Sequence, residues 1–118
     1  MDFENDVLRK SSIEFAVYVS DICEGIKGCS VFVNQLVRCS SSIGANLFEG
    51  KYAQSRADFI NKFEIALKET YESEYWIELL FRKNKLNADI YSQLLERCGT
   101  IRRLIIASVT TAKKNAET

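Results

Sequence analysis

Apolar side chains recur along this chain at intervals of three and four residues, the spacing that places them on one face of an α-helix. Four such segments follow one another, over residues 5–26, 31–52, 56–83 and 88–112. The stripe of each segment is the expected core face of a helix. The expected core positions are Leu8, Ile13, Phe15, Ala16, Val19, Ile22, Cys23 and Ile26, then Phe32, Leu36, Ser40, Ile43 and Leu47, then Phe59, Phe63, Ala66, Thr70, Ser73, Ile77 and Leu80, and finally Ile90, Leu94, Cys98, Ile101, Ile105 and Val109.

Three short breaks separate the segments. Gly25 and Gly28 are expected to end the first helix, because glycine readily adopts the left-handed conformation that stops a helix. Short polar side chains precede the later helices, where their oxygens can accept hydrogen bonds from unpaired amides. The expected N-caps are Ser30, Ser55 and Asn87, with Asp58 in the first turn of the third helix.

Short connections make consecutive helices antiparallel neighbours. The sequence therefore predicts an all-α fold: one antiparallel up-down-up-down four-helix bundle over residues 1–118. Several apolar side chains fall outside the core stripes, and a large exposed apolar area marks an interface. We expect a homo-oligomer, the alternative being a wide core stripe in a monomer. The residues outside the stripes are Val17, Tyr18, Val33, Val37, Tyr75, Trp76, Leu95 and Ile106.

The amino-acid composition limits the catalytic and metal-binding chemistry available to the chain. The 118 residues are 47% hydrophobic and include neither proline nor histidine, so the commonest general base and metal ligand is missing. The four cysteines form no C-x-x-C pair, and an acidic N-terminus lacks the features of a signal peptide. We expect reduced, mostly buried thiols in a cytoplasmic protein that has no metal, no cofactor, no membrane span and no enzymatic activity.

Charge is unevenly distributed although the net charge is zero. Residues 1–78 carry 8 basic and 13 acidic residues, whereas residues 79–118 carry 8 basic and 3 acidic. The basic residues of the second part could bind an acidic subunit or partner surface, remain solvated, or contact nucleic-acid phosphates. We call them the basic strip: Arg82, Lys83, Lys85, Arg97, Arg102, Arg103, Lys113 and Lys114.

The second helix carries polar and small residues that could have either a structural or a catalytic role. Gly44, within a run of serines and alanine, favours close helix packing over a serine nucleophile. Arg38 shares a face with Ser42 and Glu49, and could pair with Glu69 or Glu72 of the third helix. A structural ion-pair network is favoured over a paired-carboxylate hydrolase, which would need a cleft.

Two further residues leave alternatives open. Asn46 lies beside the apolar stripe, where it either fixes register or oligomer state, or is simply exposed. Trp76, with Tyr71 and Tyr75, either anchors packing or an interface, or stacks on nucleic-acid bases.

Taken together, residues 31–81 resemble a known family. The stretch Gln35–Gly50, which contains Arg38 and Ser-Ile-Gly-Ala-Asn, resembles the signature of the four-helix-bundle proteins encoded in intervening sequences of bacterial 23S rRNA genes. Residues 55–62, 65–69 and 72–80 match the same family in order and spacing.

The resemblance implies a cytosolic, non-enzymatic bundle that forms a homopentameric ring around a channel. A related branch, the accessory protein of diversity-generating retroelements, partners a reverse transcriptase and binds nucleic acid. That branch is strongly basic, whereas this chain has no net charge. The motif positions Arg38, Asn46, Glu49, Ser55 and Glu69 are expected to be structural.

The sequence thus favours a self-assembling interaction module with a protein or ribonucleoprotein partner. The alternative is direct RNA or DNA binding through the basic strip.

Overall fold

The computed structural model describes residues 6–116 of the chain, which form four α-helices. No strand occurs among these residues, so the prediction of an all-α chain with four helices is confirmed. The molecule is elongated, with extents of 50 × 25 × 21 Å. The helices are α1 (Val7–Glu24), α2 (Ser30–Lys51), α3 (Arg56–Arg82) and α4 (Ala88–Ala116).

Both ends of α1 differ from expectation. The predicted start at residue 5 lies outside the described residues, and Asp6 is the N-cap, its carboxylate accepting the Arg9 amide hydrogen bond at 3.0 Å. The helix ends at Glu24, two residues early, because the Gly25 N–H bonds to carbonyls of the last turn. The left-handed conformation expected at Gly25 is wrong, since its φ is −88°, whereas Gly28 has a φ of +81°.

The N-caps of the later helices were predicted with mixed success. Ser55 and Asn87 each accept the amide hydrogen bond of the residue three positions on, at 3.1 and 2.8 Å. The prediction of Ser30 as an N-cap is wrong, because Ser30 is already helical and Cys29 occupies the cap. Cys29 has a left-handed φ of +54° and makes no side-chain capping bond. The fourth helix runs four residues beyond the predicted residue 112, since residues 113–116 include no glycine or proline.

Contacts between consecutive helices pair residue numbers that run in opposite directions, so neighbouring helices are antiparallel. A hydrogen bond of 2.9 Å from Tyr18 to Gln93 joins α1 to α4 and closes the ring of helices. Helices α2 and α3 contact each other most, and α1 and α4 least, among adjacent pairs. Between α1 and α2 the pairs are Asp6 with Lys51 and Ser12 with Gly44. Between α2 and α3 they are Gly50 with Phe63 and Phe32 with Trp76. Between α3 and α4 they are Glu64 with Lys113 and Phe81 with Tyr91.

Most of the expected core positions are buried along the axis of the bundle, as are Val33, Cys39 and Leu86, which the stripes omitted. The expectation for Ile13 is wrong, because its side chain is 48% exposed. The neighbouring Ser12 takes the inward position, where α1 passes too close to Gly44 of α2 for a large side chain. None of the four helices combines the length and apolar character that crossing a bilayer requires.

Candidate functional site

A charged cluster joins the middle of α2 to α3. Arg38 Nη1 lies 3.5 Å from Glu69 Oε2, and Arg38 Nη2 forms an ion pair with Glu72. Arg38 Nε donates a hydrogen bond of 3.1 Å to Gln35 in its own helix. The structure therefore brings together the arginine of α2 and both candidate glutamates of α3, which we call the Arg38 cluster.

The electrostatics of the Arg38 cluster follow from its uneven burial. Burial raises the pKa of Glu69, and the neighbouring Glu72 raises it further, while Arg38 opposes both effects without cancelling them. Desolvation alone would lower the pKa of Arg38, but the two carboxylates raise it above its usual value. The guanidinium stays charged and offsets one of the two carboxylate charges of the cluster.

Cys39 adjoins the same carboxylates. Its Sγ and one oxygen each of Glu69 and Glu72 lie within 4.8 Å of one another, which is close enough to suggest a metal site. Burial, however, raises the pKa of the Cys39 thiol to about 11, and metals and electrophiles react with the thiolate. Arg38 forms ion pairs with both of these carboxylates, which is the contact that an ion-pair network between α2 and α3 requires.

Gly44 and Asn46 of α2 take part in two different contacts. A Cβ placed on Gly44 would lie 3.1 Å from the Ser12 hydroxyl, so α1 approaches α2 closely at this point. Asn46 is half-buried and donates hydrogen bonds to the carbonyl and hydroxyl oxygens of Ser42, at 2.9 and 3.2 Å. Both of these hydrogen bonds lie within α2.

The remaining acidic motif residues, Glu49 of α2 and Asp58 of α3, lie on either side of the turn between the two helices. Glu49 Oε1 lies 3.8 Å from Lys62, linking the end of α2 to α3. Ser55 caps α3 by accepting a hydrogen bond from the amide of Asp58, whose carboxylate lies in the first turn. An acid in the first turn interacts favourably with the helix dipole.

Trp76 is packed within the fold. Its ring stacks on Phe32 with centroids 5.8 Å apart, and Tyr75 meets it edge-on at 4.9 Å. Its indole nitrogen is buried and has no hydrogen-bond partner among residues 6–116. Tyr71 and Tyr75 instead are 52% and 60% exposed, so these two rings are accessible from solvent.

Three members of the basic strip on α4 lie against neighbouring helices. Arg102 Nε is 2.8 Å from Glu74, and Lys113 Nζ is 2.6 Å from Glu64, both on α3. Arg97 lies over the Tyr18 ring of α1, 4.1 Å from its centroid. These side chains join α4 to its neighbours on either side.

Two more cations of the strip have partners near the α3–α4 turn. Arg82 lies 3.1 Å from Glu78, and the Lys85 ammonium donates a hydrogen bond of 2.7 Å to the carbonyl of Lys27. The strip is therefore dispersed over several faces of the bundle.

The three remaining members of the strip are exposed. Lys83 and Lys114 contact no acidic group in the described part of the chain, and Arg103 donates a hydrogen bond only to Thr100, at 3.3 Å. Arg103 and Lys114 are eleven residues apart, which is close to three helical turns, so they share the outer face of α4.

The apolar residues outside the core stripes divide by burial. Val17, Val37, Tyr75 and Ile106 are exposed, whereas Val33 is buried and Tyr18, Trp76 and Leu95 are half-buried against the core. The sequence stripes did not single out Phe48 and Tyr52, which are 49% and 59% exposed at the end of α2.

One ion pair with little solvent exposure could not be predicted from the sequence. Asp6 and Lys51 lie 2.7 Å apart, and their side chains are 13% and 11% exposed. The two residues are 45 positions apart, and no helical spacing relates them.

Comparison with known proteins identifies relatives of the chain. The sequence model of the 23S rRNA-intervening sequence protein family matches residues 4–107. A crystal structure of a protein of unknown function from the S23 ribosomal protein family of Bacteroides thetaiotaomicron is 40% identical, with a TM-score of 0.83. The alignment covers 87% of this chain and 98% of that protein. No curated protein matches the chain.

Proposed function

Because the chain belongs to the 23S rRNA-intervening sequence protein family, we propose that it is a non-enzymatic module that assembles with copies of itself. A homopentameric ring is the expected assembly, and it presents a surface to a protein or ribonucleoprotein partner. The observation that carries the proposal is a set of exposed apolar side chains on two packed helices.

The proposed interface lies on the outer side of α1 and α2. Val37, Gly44 and Phe48 follow the helical spacing of seven and then four residues, so they lie on one side of α2. Gly44 contacts α1, and α1 exposes Ile13 and Val17 one turn apart. We call Ile13, Val17, Val37 and Phe48 the α1–α2 patch.

The charged residues support a structural role more than a catalytic one. The Arg38 cluster is an ion-paired contact between helices, and the burial of Cys39 keeps its thiol protonated. The chain has no histidine. Acid–base catalysis would require a group of tuned pKa that is free to exchange a proton with a substrate; the pKa of Glu69 is raised, but its carboxylate faces Arg38 in the contact between α2 and α3.

The molar mass tests self-assembly. Light scattering of the wild-type chain at micromolar concentration should give a multiple of 13.5 kDa, five-fold for the ring. The double variant Val17→Glu with Val37→Glu should give a smaller assembly, because it buries two unpaired carboxylates in the interface. Val31→Glu is the matched control, since Val31 is 68% exposed on another side of α2. A monomeric wild-type protein, or a double variant of unchanged mass, would overturn the proposal.

Nucleic-acid binding is the second candidate function. The exposed cations Lys83, Arg103 and Lys114 support it, because only accessible cations can neutralise phosphates. Fluorescence anisotropy with structured RNA across a salt series measures the number of phosphate contacts from the slope. Arg103→Gln with Lys114→Gln should reduce that slope by about two if both contact phosphates.

Arg102→Gln is the matched control for that experiment, since Arg102 already pairs with Glu74. Absence of binding at low salt, with the assembly intact, would exclude the strip as an RNA surface and leave protein partners for the module.

A further inference from the structure

A second group of exposed apolar side chains lies outside the α1–α2 patch. Tyr75 of α3 and Ile106 of α4 are exposed, and so is Tyr71, one turn before Tyr75. The Arg102 guanidinium carbon lies 5.6 Å from the centroid of the Tyr71 ring, so Tyr71 is on the side of α3 that faces α4. Ile106 follows Arg102 by four residues and shares its side of α4. We call Tyr71, Tyr75 and Ile106 the α3–α4 face.

The α3–α4 face and the α1–α2 patch lie on opposite sides of the bundle. The helices contact one another in the cyclic order α1, α2, α3 and α4, and α4 also contacts α1. The pair α3–α4 is therefore across the bundle axis from the pair α1–α2. One copy of the chain can meet two neighbours at once, one on each side, as every subunit of a ring does.

A ring of five copies requires two different surfaces on each subunit. Cyclic symmetry beyond a dimer joins one surface of a subunit to another surface of the next, whereas a two-fold dimer joins one surface to itself. The partner of the α1–α2 patch in such a ring is therefore a different part of the chain. The α3–α4 face offers large exposed apolar side chains for that contact.

The exposed charges beside the two surfaces are of opposite sign. The exposed charged residues of α1 are three carboxylates and one ammonium, namely Glu14, Asp21, Glu24 and Lys10. Across the bundle, Lys68 and Arg103 are exposed, and each lies three residues before a member of the α3–α4 face. None of these side chains forms an ion pair within residues 6–116. Exposed charges of opposite sign favour the meeting of two surfaces and add little stability.

The carboxylates closest to the α3–α4 face do not cancel its two cations. Each of them is paired with a cation of the same chain, and they are Glu64, Glu74 and Glu78. The charge that remains beside this face is therefore positive, and it complements the carboxylates of α1.

We propose that the α1–α2 patch of one copy binds the α3–α4 face of the next copy, head to tail around the ring. The pairing rests on the proposed function, because without self-assembly neither surface has a partner copy. The mainly aliphatic patch packs against the two tyrosine rings, and the carboxylates of α1 complement Lys68 and Arg103. Since α3 and α4 are also packed closely within one chain, the neighbour covers their side chains without holding these helices in place.

Light scattering of the double variant Tyr75→Glu with Ile106→Glu is the first test. The variant should be monomeric at 13.5 kDa, because it places two carboxylates in the contact of every copy. Val31→Glu should keep the wild-type mass. A wild-type mass for Tyr75→Glu with Ile106→Glu would overturn the pairing and leave self-assembly standing, and loss of RNA binding in that variant would assign the face to nucleic acid. A monomeric wild-type protein would overturn both proposals.

Mixing two blocked variants tests the pairing itself. Val17→Glu with Val37→Glu keeps the α3–α4 face, and Tyr75→Glu with Ile106→Glu keeps the α1–α2 patch. The mixture should therefore form one contact but no ring, which gives a complex of twice 13.5 kDa. All four substitutions replace exposed side chains, so each variant should keep the fold of the single chain.

Amide NMR detects this contact when it is weak. The isotope-labelled Val17→Glu, Val37→Glu variant should show shifts at Tyr71 and Arg103, and none at Val31, when the unlabelled Tyr75→Glu, Ile106→Glu variant is added to millimolar concentration. Addition of its own unlabelled form is the matched control and should shift nothing, because neither molecule then has the patch. Absence of shifts in the mixed titration, or equal shifts in the control, would overturn the proposal.

Discussion

Single charged residues hold neighbouring helices together, and their effects depend on burial. Arg38 is half exposed, yet it faces Glu69, whose side chain is only 19% exposed. A partly exposed ion pair contributes about 0–1 kcal/mol. Removing the arginine, however, leaves two carboxylates facing each other, so the consequence of mutation exceeds that of an isolated surface pair.

Replacing Arg38 by glutamine should therefore lower the free energy of unfolding at neutral pH by more than about 1 kcal/mol, the upper end of the range for an isolated surface pair. The pKa of Glu69 is raised in the folded state, so the folded protein binds the Glu69 proton more tightly than the unfolded chain does. This proton binding stabilises the fold at low pH, and the stabilisation is lost as the pH rises through the folded-state pKa. Without Arg38 the pKa rises further, and the destabilisation should shrink near pH 4. Urea denaturation at neutral pH and near pH 4 measures this loss of stability, and Lys68→Gln, at an exposed position, is the control. Equal losses at both pH values would contradict the argument.

Asp6 predicts the opposite pH dependence. Asparagine at this position can still cap α1 but cannot pair with Lys51, so Asp6→Asn should destabilise by about 1–3 kcal/mol at neutral pH. Because the pKa of Asp6 is lowered in the folded state, its carboxylate contributes fully to the free energy of unfolding at pH values above the pKa of the unfolded chain. That contribution is lost as the pH falls through the folded-state pKa. The wild-type and variant stabilities should converge below pH 3.8. Asp21→Asn, on the exposed side of α1, should have little effect at any pH.

Local chemistry made some residues predictable. Ser55 and Asn87 precede helices whose first amides need acceptors, and each supplies one. Ser30 has the same chemistry, but Cys29 takes the cap in a left-handed conformation after Gly28, and sequence alone could not show which residue begins the helix. The partner of Lys51 depended on how the helices pack, which local pattern does not encode.

At the scale of helices, the space around each glycine shows how closely neighbouring side chains pack there. Gly50 and Gly99 both lie inside helices, where glycine costs about 1 kcal/mol relative to alanine. An added Cβ on Gly50 would meet the Phe63 ring at 2.7 Å, whereas on Gly99 it would meet only the ends of arginine side chains, at 3.2 and 3.4 Å. The first neighbour is held in the core, and the others can move.

Gly50→Ala should therefore destabilise the protein by about 1–3 kcal/mol, because the Phe63 ring must shift in a packed region. Gly99→Ala should stabilise it by up to about 1 kcal/mol, because α4 gains helix propensity at little steric cost. Thermal denaturation of the two variants under identical conditions compares them directly. A stabilising Gly50→Ala would mean that α2 and α3 separate at this point more easily than their packing implies.

The periodicity of apolar residues identified all four helices, but it could not assign charges to neighbours. The acidic and basic halves of the sequence allowed contacts between subunits. Within one chain, Glu74 pairs with Arg102 and Glu64 with Lys113, because α3 and α4 are antiparallel neighbours; contacts between subunits stay a prediction. The basic strip is confined to residues 82–114 of the sequence, whereas helical rotation distributes its side chains over several faces of the bundle.

Across the whole molecule, α1 is the helix that would gain most protection from the proposed assembly. It is the shortest helix, with 18 residues, and its contact with α4 is the sparsest between adjacent helices. If copies of the chain meet through the α1–α2 patch, a neighbouring subunit covers Ile13 and Val17 and opposes the local opening of α1. Helices with few packed contacts open at lower free energy and exchange their amide hydrogens faster.

Hydrogen exchange measured by mass spectrometry should show this dependence. In the wild-type assembly, α1 peptides should be protected, and Val17→Glu with Val37→Glu should speed their exchange far more than that of the α3 peptides. The Val31→Glu control should leave α1 protected, because it changes a different side of α2. Exchange that accelerates equally in α1 and α3 would indicate global destabilisation, and unchanged α1 exchange in a dissociated double variant would show that α1 is stabilised within the single chain.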